Sequence, residues 1–231
     1  MILERDDSVV GGSLFPASGN TFTPNAAMRI KYALDRLASV LLLLFLFPFG
    51  LMIAVAIAVE AIVIGEPPKV FIAERRLSAG ESFRLLKFRT VRIRSLRLHR
   101  QDPQKPSLKA LETPKHVTRT GRILKRFYLD EIPQLVNIAR GEMSLVGPRP
   151  YFVEDWKREP RLDIPARRWL KAGLVGPFQA VKGEILGLDA VNVIDSEYLK
   201  VCLTSSPGKL LAEDLRLMVK SLRTLVRGEG L

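Results

Sequence analysis

Residues 37–59 read LASVLLLLFLFPFGLMIAVAIAV, 23 positions without a charged side chain. A helix of that length reaches across a hydrocarbon core of about 30 Å. The run starts late, is longer than a signal-peptide core and closes on no small-residue cleavage site, so a cleaved leader is not expected. Its centre holds Pro48, with Gly50 two positions on. Proline removes one backbone hydrogen bond and crowds the preceding turn, which predicts a helix-break-helix with two halves each too short to cross alone. Arg29, Lys31 and Arg36 stand before the run, and Lys69, Arg75, Arg76, Arg84, Lys87 and Arg89 after it. Basic flanks on both sides favour a hairpin that enters and leaves by one leaflet. A kinked single span satisfies the composition equally well.

Outward from that run, the chain of 231 residues has room for one well-cored domain beside the membrane segment. Residues 1–25 are polar and Gly/Ser/Pro-containing and read as a disordered tail, 26–64 as the membrane hairpin, and 65–231 as the attached domain. Lys and Arg number 36 against 24 Asp and Glu, a net charge of +12, which points to anionic partners. Aromatics at 7% are thin for stacking on single-stranded bases, and nucleic acid is not an expected partner. Cys202, the sole cysteine, excludes an internal disulfide and a cysteine-based zinc site. His99 and His116 have no metal-ligand spacing and read as surface residues.

Within the domain, VFIAERR and SFRLLKFRTVRI (82–93) read as strands and 99–116 as a proline-rich loop. A basic helix follows over 118–127, then YLDEIPQ (128–134), then a helix through IPQLVNIAR stopped by Gly141. SLVGPRP (144–150) is a strand running into a stiff turn. Near the C-terminus Leu211, Leu215, Met218, Leu222 and Leu225 recur at helical steps among basic residues, an amphipathic helix suited either to packing or to a headgroup plane. The expected fold is therefore α/β, with a proline-broken membrane helix, re-entrant or spanning, and surface amphipathic helices.

Asp130 and Glu131 are an acidic pair in basic surroundings. With Asp130 as N-cap, Pro133 falls in the first helical turn, so capping explains the pair economically. The same position suits chemistry, because an ionised carboxylate serves as a nucleophile toward phosphorus or as an oxygen ligand for Mg²⁺. Lys87 and Arg89 share strand parity. Arg122 and Lys125 precede the pair, and Arg149 stands between two prolines. These five are candidate phosphate contacts.

The string VTRTGRILKRFYLDEIPQLVNIARGEMSLVGPRP (117–150) closely resembles the central signature of the bacterial sugar transferase family. KFRT (87–90), PPKVFIAERR, the proline-broken apolar run and KAGLVGPFQAVKGE (171–184) extend the likeness over roughly residues 28–226. The resemblance implies a polyprenyl-phosphate phosphoglycosyl transferase, which moves a sugar 1-phosphate from a UDP-sugar to polyprenyl phosphate with release of UMP. It implies Asp130 as nucleophile of a covalent phosphosugar intermediate, Glu131 as its partner and Mg²⁺ at the pair. It also implies a re-entrant break at Pro48 and a monotopic place on the cytoplasmic face of a bacterial inner membrane. A homo-oligomer is allowed but not required. The sequence departs from the family pattern at Phe47, Tyr128, Lys125, Pro177, Phe178 and Lys182, where serine, serine, arginine, Trp-Ala and asparagine are commoner. A non-catalytic basic membrane module is the rival reading, in which Asp130 only caps.

Overall fold

The structure is a computed structural model that describes residues 22–100, 113, 115–178 and 187–226. The expected tail over 1–21, most of the expected loop at 99–116, and Lys182 lie outside the described residues. Phe22 and Asn25, counted with the tail from sequence, make tertiary contacts. Phe22 stacks on Trp169 with ring centroids 5.1 Å apart. Asn25 caps the first helix by accepting from the Met28 amide at 2.9 Å, and its amide donates to the Cys202 and Leu203 carbonyls.

Helix α1 is Ala26–Val63. It runs as one helix through Pro48, so the two separate segments expected on either side of the proline are not seen. A proline costs the helix one hydrogen bond and a clash, and the rest of the hydrogen-bond ladder carries the helix past it. One face of α1 lies on the domain for its whole length. Met28 is buried near its start, Leu43 and Leu46 pack on Leu85, Leu135 and Ile138 in the middle, and Ile53 and Ile57 pack on Phe88 and Leu124 near its end. The opposite face leaves Leu41, Leu44, Phe45, Phe47, Leu51, Met52 and Val55 exposed. Only 11% of its most apolar stretch is buried, an uncovered surface that suits hydrocarbon rather than water.

Strands β1 (Phe71–Ser78) and β2 (Glu81–Phe88) form an antiparallel hairpin in which Ser78 pairs with Glu81. The two linking residues, Ala79 and Gly80, both have positive φ (50° and 77°), as a type I′ turn requires. The strand expected to reach residue 93 ends at Phe88. Beyond it the Arg89 side chain is buried, Val91 bridges to Val117, and helix α2 (Ile93–Arg100) begins. Helix α3 is Arg119–Arg126 and α4 is Gln134–Arg140, closed by Gly141 at φ 78° as the sequence predicts. Strand β3 (Ser144–Val146) pairs in parallel with β4 (Gly173–Val175), across the short helices α5 (Val153–Arg158) and α6 (Pro165–Trp169). Among the described residues the α/β expectation thus takes the form of a mixed fold with two small sheets among helices.

Helices α7 (Leu188–Thr204) and α8 (Pro207–Val226) pack on the N-terminal half of α1. A buried polar cluster joins these elements. The Lys31 ammonium donates to Asp35 at 3.1 Å and to the Ser144 hydroxyl at 2.8 Å, and lies 2.8 Å from Asp214. On α8, Leu210 is buried while Leu215, Val219 and Leu222 are exposed, so the apolar stripe divides between packing and the surface.

Candidate active site

The acidic pair lies in a 3-10 turn, Leu129–Glu131, entered from Tyr128 in the left-handed region at φ 54°. A bulky residue there is strained, at a cost of about 1–3 kcal/mol, and such strain collects at working sites. Leu129 and Ile132 anchor the turn by packing on the cluster of Ile53, Ile57, Phe88 and Leu124. The turn therefore rests directly on the second half of α1. Helix α4 starts later, with Pro133 at its N-cap and no side-chain cap bond. Capping of α4 by Asp130, the economical reading of the sequence, does not occur.

Asp130 is buried, at 7% exposure, and its carboxyl lies in an open cleft with Glu74, Lys87 and Lys125, walled by Ile72 and Val91. Burial pushes the Asp130 carboxyl above the usual carboxylate range, although Lys87 and Lys125 oppose the shift. Lys87 donates to Glu131 at 3.1 Å. Burial disfavours the Lys87 charge, but Glu131, Glu74 and Asp130 outweigh it and hold the ammonium above its ordinary value.

Three contacts from distant parts of the chain build the walls. Asn137, fully buried on α4, accepts from the Leu86 amide at 3.0 Å and donates to the Arg84 carbonyl at 2.8 Å. It thereby fixes β2 around Lys87. Glu60, near the end of α1, accepts from the Arg119 and Thr120 amides at 2.6 and 2.8 Å. Thr118 caps the same helix by accepting from the Gly121 amide. Gly121 lies so close to β2's exit that an added Cβ would sit 2.1 Å from the Thr90 carbonyl oxygen. That approach brings Lys125 over the cleft.

The predicted site residues thus divide. Asp130, Glu131, Lys87 and Lys125 come together. Arg122 is exposed on α3, outside the residues lining the cleft. Arg89 is 1% exposed, and its guanidinium is held by Glu66 at 3.1 Å, the Lys69 carbonyl at 2.6 Å and the Val91 carbonyl at 3.1 Å. Parity with Lys87 does not carry Arg89 into the cleft, because β2 ends before it. Arg149 is exposed beside a second hollow with Tyr151, Trp156 and Arg167. Sequence reasoning missed Glu74, whose only signal was a carboxylate on the strand face shared with Lys87, and Asn137, a polar residue on the helix face aimed at β2.

A long uncovered apolar helix and a carboxylate pair among lysines at its side define a class of protein that works at a membrane. The chain belongs to the bacterial sugar transferase family, whose model matches residues 26–228. It is 32% identical over 175 residues to a UDP-glucose:undecaprenyl-phosphate glucose-1-phosphate transferase of Caulobacter vibrioides, covering 68% of this chain and 62% of that protein. It is 34% identical over 182 residues to an undecaprenyl-phosphate glucose phosphotransferase of Komagataeibacter xylinus (74% and 32%). A UDP-N-acetylgalactosamine-undecaprenyl-phosphate N-acetylgalactosaminephosphotransferase of Aeromonas hydrophila is 30% identical over 170 residues (71% and 36%). The aligned part spans less than two thirds of each of these relatives.

Proposed function

We propose that this chain is a phosphoglycosyl transferase that moves a sugar 1-phosphate from a UDP-sugar to polyprenyl phosphate, releasing UMP, as an early membrane step of surface glycan assembly. The observation that carries this reading is the turn holding Asp130 and Glu131, seated on α1 with Lys87 and Lys125 facing it. The activities named for the relatives supply the substrate classes.

Asp130 is the proposed nucleophile. A carboxylate oxygen forms a bond to the phosphorus that bears the sugar, and the bond from that phosphorus to the bridging oxygen breaks, so UMP leaves with the electron pair. A polyprenyl phosphate oxygen then attacks the same phosphorus, the bond to Asp130 breaks, and the carboxylate is regenerated beside a polyprenyl-diphosphate sugar. Two displacements let the donor and the lipid occupy the site in turn. Lys87 and Lys125 offset the repulsion between phosphates and carboxylates. Lys87 also orients Glu131. We assign Arg89 to holding the exit of β2, since its Nε and Nη1 donors are spent on Lys69, Glu66 and Val91, and keep Arg149 and Arg122 as phosphate contacts beyond the cleft.

Mg²⁺ fits this donor set. It is commonly held by one or two carboxylates with substrate phosphates, and Asp130 is a buried carboxylate in an open cleft whose lysines do not fully compensate it. Asp130 and Glu131 would hold the ion, which when bound supplies charge neutralisation at the phosphates. Among the described residues no group of three or more His, Cys, Asp or Glu is disposed to hold a metal by itself.

For the membrane segment we propose insertion from one leaflet at the cytoplasmic face of the inner membrane, with any bend taken at Pro48. What supports it is that both ends of α1 are tied to one domain, through Asn25 to Cys202 and through Glu60 to Arg119 and Thr120. The ends of a spanning helix stand about 30 Å apart across hydrocarbon, where this polar domain would have to follow.

The test is Asp130→Asn in the full chain. The amide keeps shape and loses the nucleophile, so UMP release from a panel of UDP-sugars with polyprenyl phosphate and Mg²⁺ is expected to vanish. Turnover at the unmodified rate would overturn the mechanism.

A further inference from the structure

Arg149 stands in PRP, between Pro148 and Pro150. The start of that turn is held by backbone bonds: the Gly147 amide donates to Val175 and the Gly173 amide to Pro148. Its far end is held by a side chain. Arg76 on β1 donates from Nη1 to the Pro150 carbonyl at 3.0 Å, and its guanidinium lies 3.3 Å from the Phe152 ring centroid. The Arg76 backbone also bridges Phe152, and the Leu77 amide donates to Tyr151. Arg76 is in turn gripped by Glu74, which accepts from Nε at 3.0 Å and from Nη2. Both residues are 9% exposed.

The pair sits between two hollows. Glu74 lines the one with Asp130, and Arg149 lines the other. A buried ion pair is weak as a stabiliser, because desolvation offsets the attraction. A lone carboxylate in a cleft that takes phosphates would repel them. Bound to Arg76, the same carboxylate becomes a fixed point from which the fork reaches the Pro150 carbonyl. The Arg149 backbone, stiffened by two prolines, is thereby tied to the strand whose Glu74 lines the Asp130 cleft.

We propose that Glu74 and Arg76 are positioning residues that place Arg149 relative to the Asp130 cleft, so that one donor molecule meets both. This rests on the phosphoglycosyl transferase reading for the role of Arg149. Glu74 and Arg76 touch no reacting atom; they act through the turn.

The test uses the full chain in lipid nanodiscs, with UDP-sugar varied at saturating polyprenyl phosphate. Arg76→Ala is expected to raise KM about tenfold, with kcat lowered less than about threefold, as for loss of a ground-state contact. Arg149→Ala should give a similar split, and Arg76→Ala with Arg149→Ala should be no worse than Arg149→Ala alone. Glu74→Gln, which keeps an acceptor for Arg76, should be milder than Glu74→Ala. Multiplying effects in the double variant, or an unchanged KM in Arg76→Ala, would overturn the proposal. Hydrogen exchange needs no turnover: the peptide spanning 148–153 should exchange faster in Arg76→Ala, while α4 keeps its protection. Equal protection at 148–153 sinks the positioning role. Failure of every UDP-sugar with the unmodified chain would sink only the transferase reading, leaving exchange to decide this one.

Discussion

The Lys87 ammonium donates to Glu131 at 3.1 Å and not to Asp130, although Asp130 lines the same cleft as Lys87. Glu131 is thereby oriented by a strand residue 44 positions earlier, while Asp130 presents its carboxyl to the cleft under a field from two lysines. Adjacent carboxylates in one turn thus have different surroundings, which is how two similar groups take different tasks.

Lys87→Met should lower kcat/KM for UMP release about 10²–10³-fold, the scale for loss of one preorganised charge at a developing anion. Lys87→Arg should restore little, because the longer planar fork does not reproduce the contact to Glu131. Steady-state kinetics on protein of matched melting temperature checks both.

Arg89 behaves as a structural residue. Arg89→Ala removes the cation paired with Glu66, which keeps the Ile93 amide, and a donor from two carbonyls, and is expected to cost about 3–5 kcal/mol of stability. Glu66→Gln, milder, should lower the melting temperature with KM for the UDP-sugar unchanged. A raised KM at full stability would return Arg89 to the substrate.

Gly121→Ala forces a Cβ toward the Thr90 carbonyl, and neither backbone can yield cheaply. Overpacking of this kind costs about 1–3 kcal/mol, and the displaced α3 carries Lys125 with it. Lower thermal stability together with lower activity is the expected result, measured by melts and UMP release.

Asp195 supplies a pH signature. Burial raises its carboxyl to about 6 from an ordinary 3.8, even with Arg167 at 2.9 Å. The folded state therefore holds this proton more tightly than the unfolded state. Its contribution to stability is greatest below the unfolded value and is lost as pH rises toward 6. Asp195→Asn should flatten the melting-temperature slope between pH 4 and 6 relative to the unmodified chain, within the window set by those two values.

Topology is tested by cysteine labelling, for which the native Cys202 is buried at 1% exposure and gives little background. Single cysteines at Arg29 and Lys69 should both resist an impermeant reagent added outside intact cells. Labelling of either one from outside would favour a span.

Much of this arrangement was legible from local patterns. The charge-free run at 37–59, the basic helix before the acidic pair, and Gly141 as a helix stop depend on neighbours within a few positions. Each therefore leaves a mark in composition or spacing. Lys125 stands close enough to the acidic pair to be grouped with it on the same basis, whereas Lys87 reaches Glu131 across 44 positions and only the fold joins them. Parity misled for Arg89, since strand alternation holds only while the strand lasts, and Glu66 draws that guanidinium inward from 23 positions away.

By itself, then, the sequence determined an apolar helix that no water-facing surface could accommodate, a basic helix leading to an acidic pair, and membership of its family through a long motif. Tertiary structure alone decided that Asp130 lines a cleft rather than capping α4, that Arg89 is consumed in packing, and that Glu74 and Arg76 stand between the two hollows. Those outcomes turn on side chains reaching partners across 20 to 74 positions. Ion pairs and hydrogen bonds over such separations are chosen by how the elements pack, and no local periodicity records them.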